Sequence, residues 1–472
     1  MPPHELELGP DAMRRLVDLA MSHLVPHVAS LGEQPSADVD GAIEVARTVA
    51  EPMPELGTAP EPLFERLFND LIPKSYNAAG PGYMAYIPGG GIFHAAVADL
   101  VADGVNRYVG VVAPAPALAA LEATVVRWFA DMIGMPRTAR GLLTTGGSMA
   151  NLIALVTARR TRLPDDFLSG TTYASDQVHH SITKAAILAG FPAARVRSVP
   201  SDASFRIDLA ALKKMIDDDR AAGLSPFFVV GSAGTTNTGA IDDLEALADL
   251  AARESLFFHV DAAYGGFFLL TDRGRAAMKG IERADSVTLD PHKALFLPYG
   301  TGSLVVRDGA ALRRAHESTA AYLPEMQDDD DLVDFCEHSP ELSRAFRGLR
   351  VWLPMKMHGA STFRRYLDEK LDLAAYAHER LRAIPGLEII AAPAITAIAF
   401  RFATPGKTDA ELDALNERIA DGASARKRVL LKGTVLRGRF VIRLCIVSFR
   451  THRDRVDMAL EDLAAAARDV LG

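Results

Sequence analysis

The sequence predicts an α/β protein: a large, mostly parallel, helix-covered sheet followed by a smaller α+β domain. Two observations carry this expectation. From Gly141 to about Val306, the β-rich runs GLLTT, TTYAS, ARVRSV, FFVVGS, LFFHVD, SVTLD and GSLVV alternate with helical stretches, the rhythm of parallel strands joined by crossover helices. From Ser339 onward, two long helical patterns precede ITAIAFRF, a helix, the RVLL run, FVIRLCIVSF and a closing helix. That mixed order suits an α+β unit.

Ahead of both parts, Met13, Leu16, Val17, Leu19 and Ala20, then Leu63, Phe64, Leu67 and Phe68, recur at helical spacing between Pro-rich breaks, as amphipathic helices do. The chain therefore divides into an N-terminal helical segment (1–80), a large α/β domain (81–338) and a small C-terminal domain (339–472). Apolar helix faces that precede the main core need a partner surface, and a homodimer would supply one. Between the two domains lies HESTAAYLPEMQDDDDLVDF. Its mixed pattern and the run Asp328 to Asp331 predict a mobile surface loop near 316–336, with solvated charge.

Composition narrows the function classes. The chain has 472 residues, 49% hydrophobic and 24% charged, the balance of a folded globular protein. Its 51 Lys+Arg against 60 Asp+Glu leave a net charge of −9, which disfavours a nucleic-acid partner. Two cysteines, Cys336 and Cys445, without a CxxC pair, exclude a disulfide framework and a cysteine-rich zinc site. The opening MPPHELELGP lacks the basic-then-apolar order of a secretory signal. The uncharged stretch from Tyr108 to Leu121 is interrupted by Pro114 and Pro116 and falls short of the roughly 20 apolar residues of a membrane span. A cytoplasmic protein with no membrane partner is expected.

Five segments carry chemistry. In SVTLDPHKALFLPYGTG, Lys293 follows His292 after a β run, where an amine can face a crevice; the plain alternative is a surface lysine. In LFFHVDAAYGGF, an apolar run delivers Asp261 from a buried strand. Such a carboxylate needs a partner, and a pyridinium nitrogen suits it, although a helix cap is the alternative. In GLLTTGGSMANLIALVTARR, a Gly-Gly-Ser turn with Gly147 and Ser148 opens a helix and offers amides and a hydroxyl to a phosphate. The spacing is neither GxGxxG nor a P-loop, so a nicotinamide-dependent oxidoreductase is disfavoured.

In YASDQVHHSITKAA, the adjacent His179 and His180 point in different directions and cannot readily share a metal; no metal is expected. His179, at a strand-to-helix junction, can stack on an aromatic ring. In GSAGTTNTGAIDD, Thr235 and Thr236 offer hydroxyls at a strand's carboxyl end, where open α/β sheets bind ligands.

An amine, a carboxylate, a phosphate cradle and a flat imidazole, in this order, resemble the pyridoxal-5′-phosphate-dependent group II amino-acid decarboxylases, the family of aromatic-L-amino-acid and glutamate decarboxylases. The resemblance runs from about Gly80 to Phe449. It implies the type I, aspartate aminotransferase-like fold, a homodimer, and pyridoxal 5′-phosphate (PLP) held as a Schiff base on Lys293. It further implies that His292 lies near the phosphate, Asp261 pairs with the ring nitrogen, Ala263 touches the ring and His179 stacks on it. Gly147 and Ser148 would hold the phosphate, and Thr236 would contact the cofactor.

The stretch HESTAAYLPEM resembles the family's catalytic loop, with Tyr322 at the position that reprotonates the substrate carbon. GYMAYIPGGG resembles its substrate-side segment, which makes Tyr86 and Ile87 candidate pocket walls. SRAFRGLRVW, with Arg344 and Arg347, reads as architecture. Where aromatic-amino-acid decarboxylases frequently carry tryptophan, this chain has Val112, and Ala294 after the lysine. Smaller side chains there remove pocket walls or open room for a larger substrate.

The expected activity is decarboxylation of an L-amino acid, aromatic or bulky apolar, to its amine. The alternatives are an acidic or diamino substrate, another type I PLP reaction such as transamination or oxidative deamination to an aldehyde, and a non-catalytic assembly protein with a decayed site, which the retained Lys293, Asp261 and Tyr322 oppose.

Overall fold

In the computed structural model, which describes residues 6–318, 326 and 332–471, the seven β-rich runs form one sheet. Its strands are β1 (Arg140–Thr144), β2 (Gly170–Ser175), β3 (Val196–Val199), β4 (Ser225–Ser232), β5 (Phe257–Asp261), β6 (Ser286–Leu289) and β7 (Gly302–Val306), in the order β1-β7-β6-β5-β4-β2-β3. Neighbours are parallel from β6 to β3, and β7 runs antiparallel to both β1 and β6. Six strands therefore point one way and bring their carboxyl ends to one edge.

Strands β2, β5, β6 and β7 are buried at every position, which is why their sequences read as near-continuous apolar runs rather than alternating ones. Helices cover both faces. Leu244–Arg253 is typical: Asp243 caps it by accepting from the Ala246 amide, and Leu244, Leu247, Ala248, Leu250 and Ala251 are buried, one apolar stripe against the sheet.

The N-terminal helix Pro10–Ala29 opens on a proline and buries no residue. It meets the helix Pro60–Arg66, extended by the π-turn Leu67–Leu71, through His23, whose ring lies 6.0 Å from that of Phe64 and 5.4 Å from that of Phe68. Met13, Leu16, Val17, Leu63 and Leu67 stay exposed.

In the small domain, the two long helical patterns are two helices within Arg347–Arg382 that meet at a kink at Gly359 (φ 69°, ψ 156°), a positive φ that glycine adopts without strain. Strands β8 (Leu387–Ala391), β9 (Ala397–Phe402), β10 (Lys432–Leu436) and β11 (Arg439–Cys445) form an antiparallel sheet in the order β10-β11-β9-β8.

Two expectations change here. β8 was not anticipated. The RVLL run is not the strand: β10 begins one residue after it, and Leu430 instead bonds to the 82–84 segment, through its amide to the Gly82 carbonyl and its carbonyl to the Met84 amide. A distant segment claims those backbone groups, so local β-propensity misplaces the strand.

Period-2 alternation sends Ile398 and Phe400 of β9 and Ile442 and Leu444 of β11 toward the helices Asp409–Ser424 and Arg453–Leu471, where Leu415, Ile419, Val456 and Leu463 meet them. Arg443 therefore falls on the opposite face, toward the large domain.

Arg344 and Arg347 are architectural. The side chains of Glu122 and Arg344 are wholly buried and 2.7 Å apart. Arg344 also donates to the Leu143 carbonyl at 2.6 Å, Arg347 donates to the same carbonyl at 3.3 Å, and the Leu143 amide donates to Glu122 at 3.2 Å. This clamp holds the end of β1 just before the Gly146–Gly147 turn. Removing one partner leaves a buried charge uncompensated. Glu122→Ala is expected to lower the unfolding free energy by about 3–5 kcal/mol, measured by urea denaturation; a loss below about 1 kcal/mol, the scale of an exposed pair, would contradict the clamp.

Candidate active site

The carboxyl ends of β1, β2, β4, β5 and β6 surround a cavity of about 310 Å³, the crevice where open α/β sheets bind ligands. Gly147, Ser148, His179, Thr236, Asp261, Ala263, His292 and Lys293 all line it. Eight of the residues singled out by sequence are thus brought together. Tyr86, Ile87 and Val112 are not part of that lining, and Tyr322 lies outside the described residues.

Gly146 caps the helix Gly147–Arg162 without a side chain, so the first-turn amides meet the cavity, an anion cradle. A Cβ at Gly147 would lie 3.0 Å from Asp290 Oδ2 and 3.3 Å from the Ala263 Cβ, so a side chain there would press on both neighbours. The hydroxyl of Thr235 is spent on its own loop, with Thr238 at 2.8 Å and the Ala240 amide at 3.1 Å. The neighbouring Thr236 lines the cavity, and Arg443 holds its carbonyl at 2.6 Å while reaching the Ala85 carbonyl at 3.0 Å.

Asp261 ends β5. Its Oδ1 accepts from the Ala263 amide at 3.1 Å and its Oδ2 from Asn151 Nδ2 at 3.1 Å, which leaves lone pairs for a further donor. Lys293 Nζ lies 3.0 Å from Asp290 Oδ2, while Asp290 Oδ1 is buried with no partner. His292 presents Nδ1 to the Thr301 carbonyl at 2.7 Å, so that nitrogen carries the proton. Burial, ahead of the opposing pull of Asp261, holds the His179 imidazole below its ordinary pKa. Burial pushes His259, one pleat before Asp261, down to about 4. Both rings are neutral near pH 7.

The segment GYMAYIPGGG passes over the lysine turn. The Gly89 amide donates to the His292 carbonyl at 3.2 Å, and a Cβ there would lie 2.4 Å from the Lys293 carbonyl oxygen. Ile87 is buried in the main core, whereas Tyr86 is exposed and its ring lies 5.9 Å from that of Tyr83. Val112 is buried with Leu142 and Phe335, its amide donating to Asp334 at 2.6 Å, and Ala294 is fully buried. The small side chains at 112 and 294 therefore open no room in this cavity, because core neighbours fill the space around them. Beyond His292 lies a second cavity of about 600 Å³, between Gly89–Ile92, Tyr299 and the N-terminal helix.

Sequence reasoning passed over Asn151, Ser232, His259, Asp290 and Arg443. The available signal was a polar residue inside an apolar run: Asn151 in ANLIAL, His259 in LFFHVD and Arg443 in VIRLCIV.

The donor set fits a pyridoxal phosphate: an amine for its aldehyde, an unsaturated buried carboxylate for its ring nitrogen, and a side-chain-free helix start for its phosphate. A model of the pyridoxal-dependent decarboxylase conserved domain matches residues 51–403. The chain belongs to the pyridoxal-dependent decarboxylase family. It is 32% identical to an aromatic-L-amino-acid decarboxylase of Bacillus atrophaeus over 468 residues, 98% of this chain and 97% of that one. It is 29% identical to tryptophan decarboxylase 1 of Oryza sativa subsp. japonica over 422 residues, 84% of this chain and 82% of that one. A solved Oryza sativa TDC with PLP and tryptamine superposes with a TM-score of 0.94 at 26% identity, covering 98% and 99% of the two chains. The protein is a PLP-dependent amino-acid decarboxylase with the type I fold. No described helix is long and apolar enough to cross a membrane.

Proposed function

We propose that this decarboxylase converts an aromatic L-amino acid to its amine, with Lys293 as the residue that carries the cofactor. The observation that supports the reading most directly is the convergence of Lys293, Asp261 and His179 on one cavity, in a chain 32% identical over nearly its full length to an aromatic-L-amino-acid decarboxylase.

The bound cofactor supplies an electron sink for the bond to the departing carboxylate. The chain's own residues do the rest. Asp261 would pair with the ring nitrogen and hold its proton by charge, and neutral His179 would face the ring without adding a second positive charge. Gly147 and Ser148 anchor the phosphate at the helix start, with Thr236, Ala263 and His292 as further contacts. Lys293 would hold the cofactor through its amine, which Asp290 keeps in the cavity.

Amine and carbon dioxide release by the holoenzyme across the common amino acids is expected to be greatest for tryptophan, tyrosine, phenylalanine or their hydroxylated forms. Preference for an acidic or diamino acid would overturn the substrate reading. Lys293→Ala is expected to lose multiple turnover and borohydride labelling together; retained turnover would remove Lys293 from its role.

Tyr322 is proposed to return a proton to the substrate carbon. Without that proton, dioxygen and water can take the reaction to aldehyde, ammonia, carbon dioxide and hydrogen peroxide. Tyr322→Phe should therefore shift product from amine toward aldehyde and peroxide while leaving cofactor binding intact; an unchanged amine rate with no aldehyde would exclude the tyrosine.

We also propose a homodimer that covers the exposed apolar side chains of Pro10–Ala29 and Pro60–Arg66, because an amphipathic helix that buries nothing in its own chain needs another surface. Sedimentation of the holoenzyme should show two chains, and an active monomer would refute it.

A further inference from the structure

The helix that opens at Gly147 carries a polar residue one turn later on its buried face. Asn151 is 1% exposed, among Ala150, Ile153, Ala154 and Leu155, and a polar side chain there is tolerated only when its bonds are satisfied. The parallel register of β5 and β6 sets His259 beside Ser286 and Asp261 beside Thr288, so four polar groups share one patch of sheet. Asn151 meets it with every donor and acceptor in use. Its Nδ2 donates to Asp261 Oδ2 at 3.1 Å and Ser181 Oγ at 3.0 Å, and its Oδ1 accepts from Thr288 Oγ1 at 2.7 Å and His259 Nε2 at 3.0 Å.

The amide has one acceptable orientation, because its oxygen cannot face the Asp261 carboxylate. The protons then follow in sequence. His259 must donate from Nε2, so its Nδ1 accepts from the Ser286 hydroxyl at 2.7 Å. Ser181 Oγ accepts from Asn151 and gives its own hydrogen to His179 Nδ1 at 2.8 Å, where the Ser181 amide also points at 3.3 Å. His179 is left with its proton on Nε2. Protonating Nδ1 as well would set its N–H against the Ser181 amide, donor to donor.

We infer that Asn151 is the positioning residue that holds Asp261 as the ionised partner of the cofactor ring and His179 as the neutral Nε2–H tautomer. The inference rests on the proposed placement of Asp261 and His179 against that ring. Asn151's N–H fixes one Asp261 oxygen in place and leaves the carboxylate's remaining lone pairs for the ring nitrogen. Its link through Ser181 keeps an imidazolium from facing a cationic ring.

The isosteric Asn151→Asp substitution gives the sharpest test. The titratable groups facing this cluster are Asp261 and His259 from β5, His179 and His180 after β2, and Asp290, His292 and Lys293 after β6. Against the Asp261 carboxylate, the introduced carboxyl has a raised proton affinity. While protonated, it still donates to Asp261; once ionised, it repels it.

The dissociation constant for PLP, followed by the visible absorbance of the bound cofactor, is measured from pH 6 to pH 8.5 for the wild type and both variants. Asn151→Asp is expected to bind within about threefold of wild type at pH 6 and to be weaker by about tenfold or more at pH 8.5. Asn151→Ala should be weaker at both pH values without the added pH dependence, and its kcat should fall more than its KM rises. If Asn151→Asp follows wild type within about threefold throughout, the inference is overturned, and Asn151 is only a buried structural amide. If Asn151→Ala does not fold, the isosteric variant still decides. A wild type lacking a cofactor band that borohydride fixes on Lys293 would instead refute the site assignment itself, so the two failures stay distinct.

Discussion

A carboxylate at the end of a strand buried on both faces governs how this site is built. Asp261 receives two N–H donors, from Ala263 and Asn151, but neither is a cation, and a buried charge with only neutral donors remains costly. The lysine that lines the cavity, Lys293, is already engaged by Asp290. Under the proposed assignment, the ring nitrogen of the cofactor is the positive partner for which the chain leaves space, and binding energy and ring protonation then arise from the same contact.

The rest of the fold serves that contact. Five strand ends supply the side chains, and the small domain fastens the loops between them. Arg443 leaves the small sheet on the face opposite its core, holding the Thr236 loop with one nitrogen and the Ala85 carbonyl with another. Gly89 presses the 83–92 segment onto the turn that carries Lys293. The Glu122–Arg344 pair does the same for β1 from below. Each tie joins residues far apart in the chain, so the cavity is a product of tertiary structure rather than of any one loop.

That distribution explains what was legible beforehand. Most strands of the large sheet could be read because burial on both faces leaves a largely apolar signature, and the chemical groups stood out because they end those runs. β8 and the start of β10 could not be read: LEIIA is short and only half-buried, and RVLL is claimed by a segment some 350 residues earlier. The wiring behind the site was invisible for a related reason. Asn151, Ser181, His259, Ser286 and Thr288 sit on four elements, and only strand register and helix placement make them neighbours. His259 and Asn151 did leave a trace, as polar residues whose burial needs a partner.

The small residues at 112 and 294 show where sequence comparison of a pocket can mislead. Both positions differ from the tryptophan frequent in the resembled family, and both suggest a roomier substrate site. Val112 and Ala294 are instead buried in apolar clusters filled by other side chains, and a close-packed interior takes up lost volume rather than leaving it open. The residues lining the cofactor cavity meet demands that many PLP reactions share. Choice of substrate and of reaction must therefore be carried by groups beyond that lining, and under the proposed function the candidates are the Tyr86 segment, the space past His292 and Tyr322.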